Sequence, residues 1–88
     1  MNEAEVIERA QALPELYADR VPPVDLDGLR SMAGAGEWQE LVDLLVAGLS
    51  NTQATVTASE RDDLRSLIEA MNMPSDLLAT LNVEGLVP

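Results

Sequence analysis

The chain has 88 residues, 16 acidic and five basic side chains and a net charge of −11, and it contains neither cysteine nor histidine. This composition excludes disulfides, zinc sites of the usual ligand types, and catalysis by Ser–His or Cys–His pairs. No apolar run approaches the roughly 20 residues of a membrane span, and the first residues are acidic where a signal peptide would be basic. We therefore expect one cytoplasmic domain, not an enzyme, without metal or cofactor.

The charge also restricts the partners. Nucleic acid and anionic membranes repel a surface this negative, so that neither is expected to bind directly and a basic protein is favoured. The alternative is that the acidity only keeps the protein soluble.

The first predicted element is a helix over residues 2–13. Asn2 followed by Glu5 three residues later is a capping-box pattern, and the apolar residues after it recur on one helical face. Pro14 is expected to interrupt this helix or to begin a short second one, which carries the apolar face past Tyr17.

The next segment is a stiff, extended connector, Val-Pro-Pro-Val at residues 21–24. Asp25 then caps a predicted short helix over about residues 26–34. The Gly-Ala-Gly sequence at residues 34–36 ends this helix and turns the chain.

The strongest predicted helix covers residues 37–50 and is expected at the centre of the bundle. Its broad apolar face consists of Trp38, Leu41, Val42, Leu45 and Leu49. The opposite arc carries Glu37, Glu40 and Asp43, and Leu44 lies within that acidic arc.

The C-terminal third begins with a polar loop over residues 51–56. Thr57 and Glu60 form a capping box that starts a helix ending near Asn72. Pro74 opens a last short helix that reaches about Leu81, and residues 82–88 are expected to form a loose tail. The sequence thus predicts a single all-α domain over residues 1–88, a compact bundle of four to six short helices.

The pattern of charges selects one candidate surface. The expected local ion pairs are Arg9 with Glu5, Arg30 with Asp27, and Arg65 with Asp62 and Glu69. No base lies between Arg30 and Arg61, so nothing local balances the acidic arc of the central helix.

We therefore predict that Glu37, Glu40, Asp43 and Leu44 bind a partner, with Leu44 as an apolar anchor among acidic side chains. The alternative is that Glu37 and Glu40 are first-turn acids stabilised by the helix dipole, while Leu44 packs under a neighbouring helix.

Other acidic pairs indicate no chemistry. Asp62 and Asp63 are adjacent on a helix and do not face each other, as a catalytic pair in a cleft would. Asp25 and Asp27 resemble part of a calcium loop, but the later ligands and the closing Glu are missing. No catalytic, cofactor-binding or metal residue is predicted.

Three stretches of the chain resemble MafI-like immunity proteins, over about residues 29–78. The elements of the likeness are Gly36-Glu37-Trp38-Gln-Glu-Leu41, Val56-Thr57-Ala-Ser-Glu60, and Leu64-Arg-Ser-Leu67-Ile-Glu-Ala-Met71-Asn-Met73. Members of this family are small acidic helical proteins that protect bacteria from polymorphic toxins.

The resemblance implies an inhibitor that neutralises a cognate toxin by occluding its active or substrate-binding surface. Such toxins often act on nucleic acid and have basic grooves, which an acidic protein can cover. The alternative is a small acidic adaptor or regulatory subunit that has no toxin partner.

Overall fold

The computed structural model describes residues 1–85, and the last three residues of the expected tail lie outside this range. It contains four α-helices and a 3₁₀ helix: α1 Glu3–Leu16, α2 Pro23–Ala35, α3 Trp38–Asn51, α4 Ala58–Ala70 and the 3₁₀ helix Ser75–Thr80. Two short strands, β1 Thr55–Val56 and β2 Asn82–Val83, pair in parallel. The expectation of a small all-α bundle is confirmed.

Helix α1 begins as expected but continues through Pro14. The Glu5 amide donates a hydrogen bond of 2.8 Å to Asn2 Oδ1, which caps the helix. Pro14 is wrongly predicted as an interruption, because the helix extends to Leu16. Continuation keeps Ala10, Leu13 and Tyr17 on one buried face, and their burial offsets the hydrogen bond that proline cannot donate.

Helix α2 starts earlier than predicted. Pro23 is its first residue, a position where the missing N–H has no partner within the helix, and Pro22 is the N-cap. The prediction that Asp25 caps the helix is therefore wrong, and the extended connector is shorter than expected. Gly36 ends the helix in the left-handed conformation with φ of 72°, and the Glu37 amide bonds to the Met32 carbonyl.

Replacement by alanine should have opposite effects on stability at two glycines near the end of α2. Around Gly34 no atom lies within 4 Å of an added Cβ, so Gly34→Ala should stabilise the protein by about 0.5–1 kcal/mol through helix propensity. Gly36→Ala should destabilise it by about 1–2 kcal/mol, because an L residue is strained at this positive φ. Urea unfolding of both variants checks the prediction, and shifts of the same sign would contradict it.

Helix α3 is the centre of the structure, as predicted. It packs against α1, α2 and the 3₁₀ helix. Its buried residues are Leu41, Val42, Leu45, Val46, Gly48 and Leu49. The helix runs antiparallel to α2, since Gly48 lies beside Val21 and Asp25 while Leu44 lies beside Gly28. Trp38 is partly buried at the edge of the core.

The start of α4 agrees with the capping box predicted from the sequence. The Glu60 amide bonds to Thr57 Oγ1 at 3.0 Å, and the Thr57 amide bonds to the Glu60 carboxylate at 2.9 Å, which completes the capping box. The helix ends at Ala70, followed by Asn72 with a φ of 58°. Pro74 precedes a 3₁₀ helix, whose tighter winding the sequence did not indicate.

The expected loose tail is ordered over residues 82–85. Asn82 and Val83 pair with Thr55 and Val56, and the Glu84 amide donates to the Val56 carbonyl at 2.7 Å. The side chains of Val56 and Val83 are buried, so that their burial anchors the segment to the common core. Within residues 1–85, none of the helices has the length and apolar character needed to cross a bilayer.

Candidate partner-binding surface

The three acids of the predicted surface are exposed along the outer side of α3. Glu37 is the N-cap, although its side chain makes no capping bond, and Glu40 lies in the first turn. The dipole therefore favours Glu40, which agrees with part of the alternative explanation. Asp43 lies beyond the first turn, where this effect has faded.

Every arginine of the chain forms an ion pair with a carboxylate that does not belong to α3. The pairs are Arg9–Glu5 at 3.6 Å, Arg20–Glu60 at 2.8 Å, Arg30–Glu15 at 2.7 Å, Arg61–Asp62 at 3.1 Å and Arg65–Asp62 at 4.0 Å. The expected pairing of Arg30 with Asp27 is wrong, because Glu15 of α1 is brought into bidentate contact with this guanidinium. Among residues 1–85, the carboxylates on α3 have no ion-pair partner.

Leu44 lies in the contact between α2 and α3. A Cβ added to Gly28 would stand 2.9 Å from Leu44 Cδ2, so the two helices approach closely at this point. The Leu44 side chain is partly buried and packs against the core. Leu44 as a partner contact stays a prediction.

A groove between α3 and the 3₁₀ helix borders the acidic face at the edge opposite to the α2 contact of Leu44. We call it the α3 groove. It is lined by Asp43, Val46, Ala47, Ser50, Asn51, Pro74, Asp76, Leu77 and Thr80. Ser50 Oγ and Thr80 Oγ1 share a hydrogen bond of 2.7 Å across it. The groove therefore combines an apolar lining with carboxylates from two separate elements.

Asp76 is a member of this surface that sequence reasoning missed. It lies in the first turn of the 3₁₀ helix, far along the chain from Asp43. Its only sequence signal is an acid after Pro74, which indicates a helix start and says nothing about α3.

Glu37 and Glu40 border a different depression. Its other lining residues are Val6, Gly36, Trp38, Gln39 and Met71. Gln39 Nε2 donates to the Met71 carbonyl at 3.0 Å and ties α3 to the end of α4. The structure thus places two predicted acids beside Trp38 and the third in the α3 groove, along one helix face.

A third depression lies between α1 and α4 and has a volume of about 320 Å³. Arg20 stacks on the Tyr17 ring at 4.5 Å and holds Glu60 through two bonds of 2.8 Å. Burial, with a smaller effect of Glu60, raises the pKa of Tyr17 to about 12. Hydrogen bonding to Arg20 lowers the pKa of Glu60 to about 2. Both pKa values lie further from neutral pH than the ordinary values of these groups, so neither group is tuned for proton transfer at neutral pH.

The remaining acidic pairs lie on helices. Asp25 and Asp27 belong to α2 and do not form a turning loop. Asp62 is engaged by two arginines, and Asp63 borders the cleft between α1 and α4. In the part of the chain that the structure describes, no three His, Cys, Asp or Glu side chains come together as a metal site would require.

Comparisons of the chain with protein-family models, with curated proteins and with solved structures found no match.

Proposed function

We propose that this protein is an immunity protein that binds a basic surface of a cognate bacterial toxin and neutralises it by occlusion. The observation that carries the proposal is the acidic face of α3, whose carboxylates have no ion-pair partner within residues 1–85 although all five arginines are engaged elsewhere. A face left unbalanced in this way attracts a positive partner and repels phosphate.

Inhibition by this route needs contact area and complementary charge, and no chemistry. A stable interface buries about 800 Å² on each partner. The accessible surface of this protein is 5103 Å², so the contact would occupy about a sixth of it. An acidic helix and the groove beside it offer a charged rim next to apolar area, the arrangement common in protein interfaces.

Co-expression tests the proposal. The immunity function predicts that a secreted protein with a toxic C-terminal domain is encoded directly upstream, and we expect this chain to restore growth of cells that produce that domain. An inactive variant of the same domain should form a stoichiometric complex with the chain in vitro. A toxin domain from an unrelated system, which should not be neutralised, is the control.

Two results would contradict the immunity function. One is continued killing by the upstream domain although the chain is produced and folded. The other is a stoichiometric complex with a non-toxic protein through the same α3 face, which would identify an acidic adaptor or regulatory subunit.

A further inference from the structure

We infer that the α3 groove receives an apolar side chain from a basic amphipathic segment of the partner, whose Lys or Arg residues bind Asp43 and Asp76. This inference rests on the proposed function and names the part of the partner that the surface recognises. Three features of the groove support it.

The first feature is a hollow with an apolar lining. Val46 is buried beneath it and Leu77 is partly buried beside it. Ala47 is exposed on α3, and its single methyl group leaves space that a longer side chain would fill. An aliphatic side chain inserted there would lose its water contact and gain packing against three apolar residues.

The second feature is the position of the two carboxylates. Asp43 comes from α3 and Asp76 from the 3₁₀ helix, the two elements that form the groove. Neither is bound to an arginine within residues 1–85, and no basic residue lines the groove. An apolar side chain in the groove would therefore fit best with cationic neighbours on its own segment.

The third feature is that other occupants fit poorly. A nucleic acid would bring phosphates against Asp43 and Asp76. A bound divalent cation prefers several oxygen ligands, whereas much of this lining is apolar. A second copy of the chain would add another net charge of −11, and its arginines are already engaged with its own carboxylates.

The test compares two kinds of variant in binding to the inactive toxin domain. Ala47→Leu fills the hollow without changing the charge and should weaken binding at least ~10-fold. The double variant Asp43→Asn, Asp76→Asn keeps the shape and should weaken binding ~3- to 10-fold, mainly through slower association. The matched controls, Ala4→Leu and Glu3→Gln with Glu8→Gln, change exposed residues of α1 outside the groove and should bind like the wild type.

A peptide titration followed by amide NMR gives a readout that does not require the toxin. The probe is a helical peptide with leucines at i and i+4 flanked by lysines, compared with peptides in which serine replaces the leucines or glutamate replaces the lysines. The leucine–lysine peptide should shift the signals of Ala47 and Leu77, and both altered peptides should lose this effect.

The outcomes separate the two proposals. If the wild type neutralises the toxin and the groove variants bind as tightly as the wild type, the groove inference is wrong and the immunity function stands. If the chain neutralises no toxin, the immunity function fails, and the peptide alone decides about the groove. If the peptide shifts only amide signals outside the groove, or shifts none at all, the groove inference is wrong.

Discussion

Replacement of Arg20 by alanine should destabilise the protein by about 2–3 kcal/mol, the largest effect expected from any single ion pair in this structure. The Arg20 and Glu60 side chains are only 25% and 21% exposed. Arg20 also bonds to the carbonyls of Leu16 and Thr55 and stacks on Tyr17. Its loss would leave a partly buried carboxylate unpaired and separate the end of α1 from the start of α4.

Thermal and urea unfolding measure this effect. For a domain of this size, the expected loss corresponds to a Tm lower by roughly 10–20 °C. Arg9→Ala is the matched control, because the Arg9–Glu5 pair is about half exposed and spans 3.6 Å. That control should cost at most about 0.5 kcal/mol. Equal losses of stability in the two variants would mean that the Arg20–Glu60 pair stabilises the fold no more than an exposed ion pair does.

The pH dependence checks the same pair through Glu60. The bonds from Arg20 hold the pKa of Glu60 at about 2, below its ordinary value of 4.5. A lowered pKa contributes stability that is fully present above the unfolded value and disappears as the pH falls through the folded value. The stability difference between wild type and Glu60→Gln should therefore be constant from neutral pH to about pH 5 and shrink towards pH 2. Glutamine retains a capping side chain, so a constant difference over the whole range would contradict the assignment.

The parts of the fold that the sequence predicts correctly are set by local contacts. Asn2 and Thr57 cap helices through amides three residues away, and Gly36 ends α2 because its φ is positive. Chains with these residues at these spacings adopt the same local geometry in many folds. The number and order of the helices follow from such signals.

Apart from the start of α2, where Pro22 and Pro23 set the helix boundary locally, the errors arise where distant parts of the chain meet. The pair β1–β2 joins two-residue segments, which are too short to show alternation. Arg20 reaches Glu60 across 40 residues. The helix around Pro14 persists because Leu13 and Tyr17 are buried by elements that follow later in the sequence. Local propensity contains none of this information.

The candidate surface shows the same division. The wheel of α3 places Glu37, Glu40 and Asp43 on one exposed face, as the structure has them. The wheel does not show which edge of that face is covered by a neighbouring helix. Gly28 lets α2 approach Leu44, while the small Ala47 leaves the opposite edge open beside the 3₁₀ helix. The structure therefore offers the α3 groove as a second apolar candidate beside the acidic face, while Leu44 stays a prediction.

Reversal of the charges of Glu37, Glu40 and Asp43 to lysine should have the largest functional effect. The change alters three residues by two units each and moves the net charge from −11 to −5. If this face meets a basic toxin surface, association at low salt should slow by about 10- to 100-fold, because steering by opposite charges is replaced by repulsion. Stopped-flow or surface-binding kinetics with the inactive toxin domain measure the rate.

Salt dependence and a charge-matched control decide whether the effect is local. The wild-type rate should fall as the Debye length shrinks from about 30 Å at 0.01 M salt to about 8 Å at 0.15 M, whereas the rate of the reversed variant should not fall, because salt screens repulsion as well as attraction. The control reverses Glu3, Glu8 and Glu69, which lie on α1 and α4, outside the α3 groove, and change the net charge equally. Because a general effect of net charge would slow both variants alike, equal rates for the two would exclude the α3 face as the site of contact, provided that circular dichroism shows both to be folded. A slow α3 variant beside a fast control would instead locate the steering on this helix, whatever reaction the toxin catalyses.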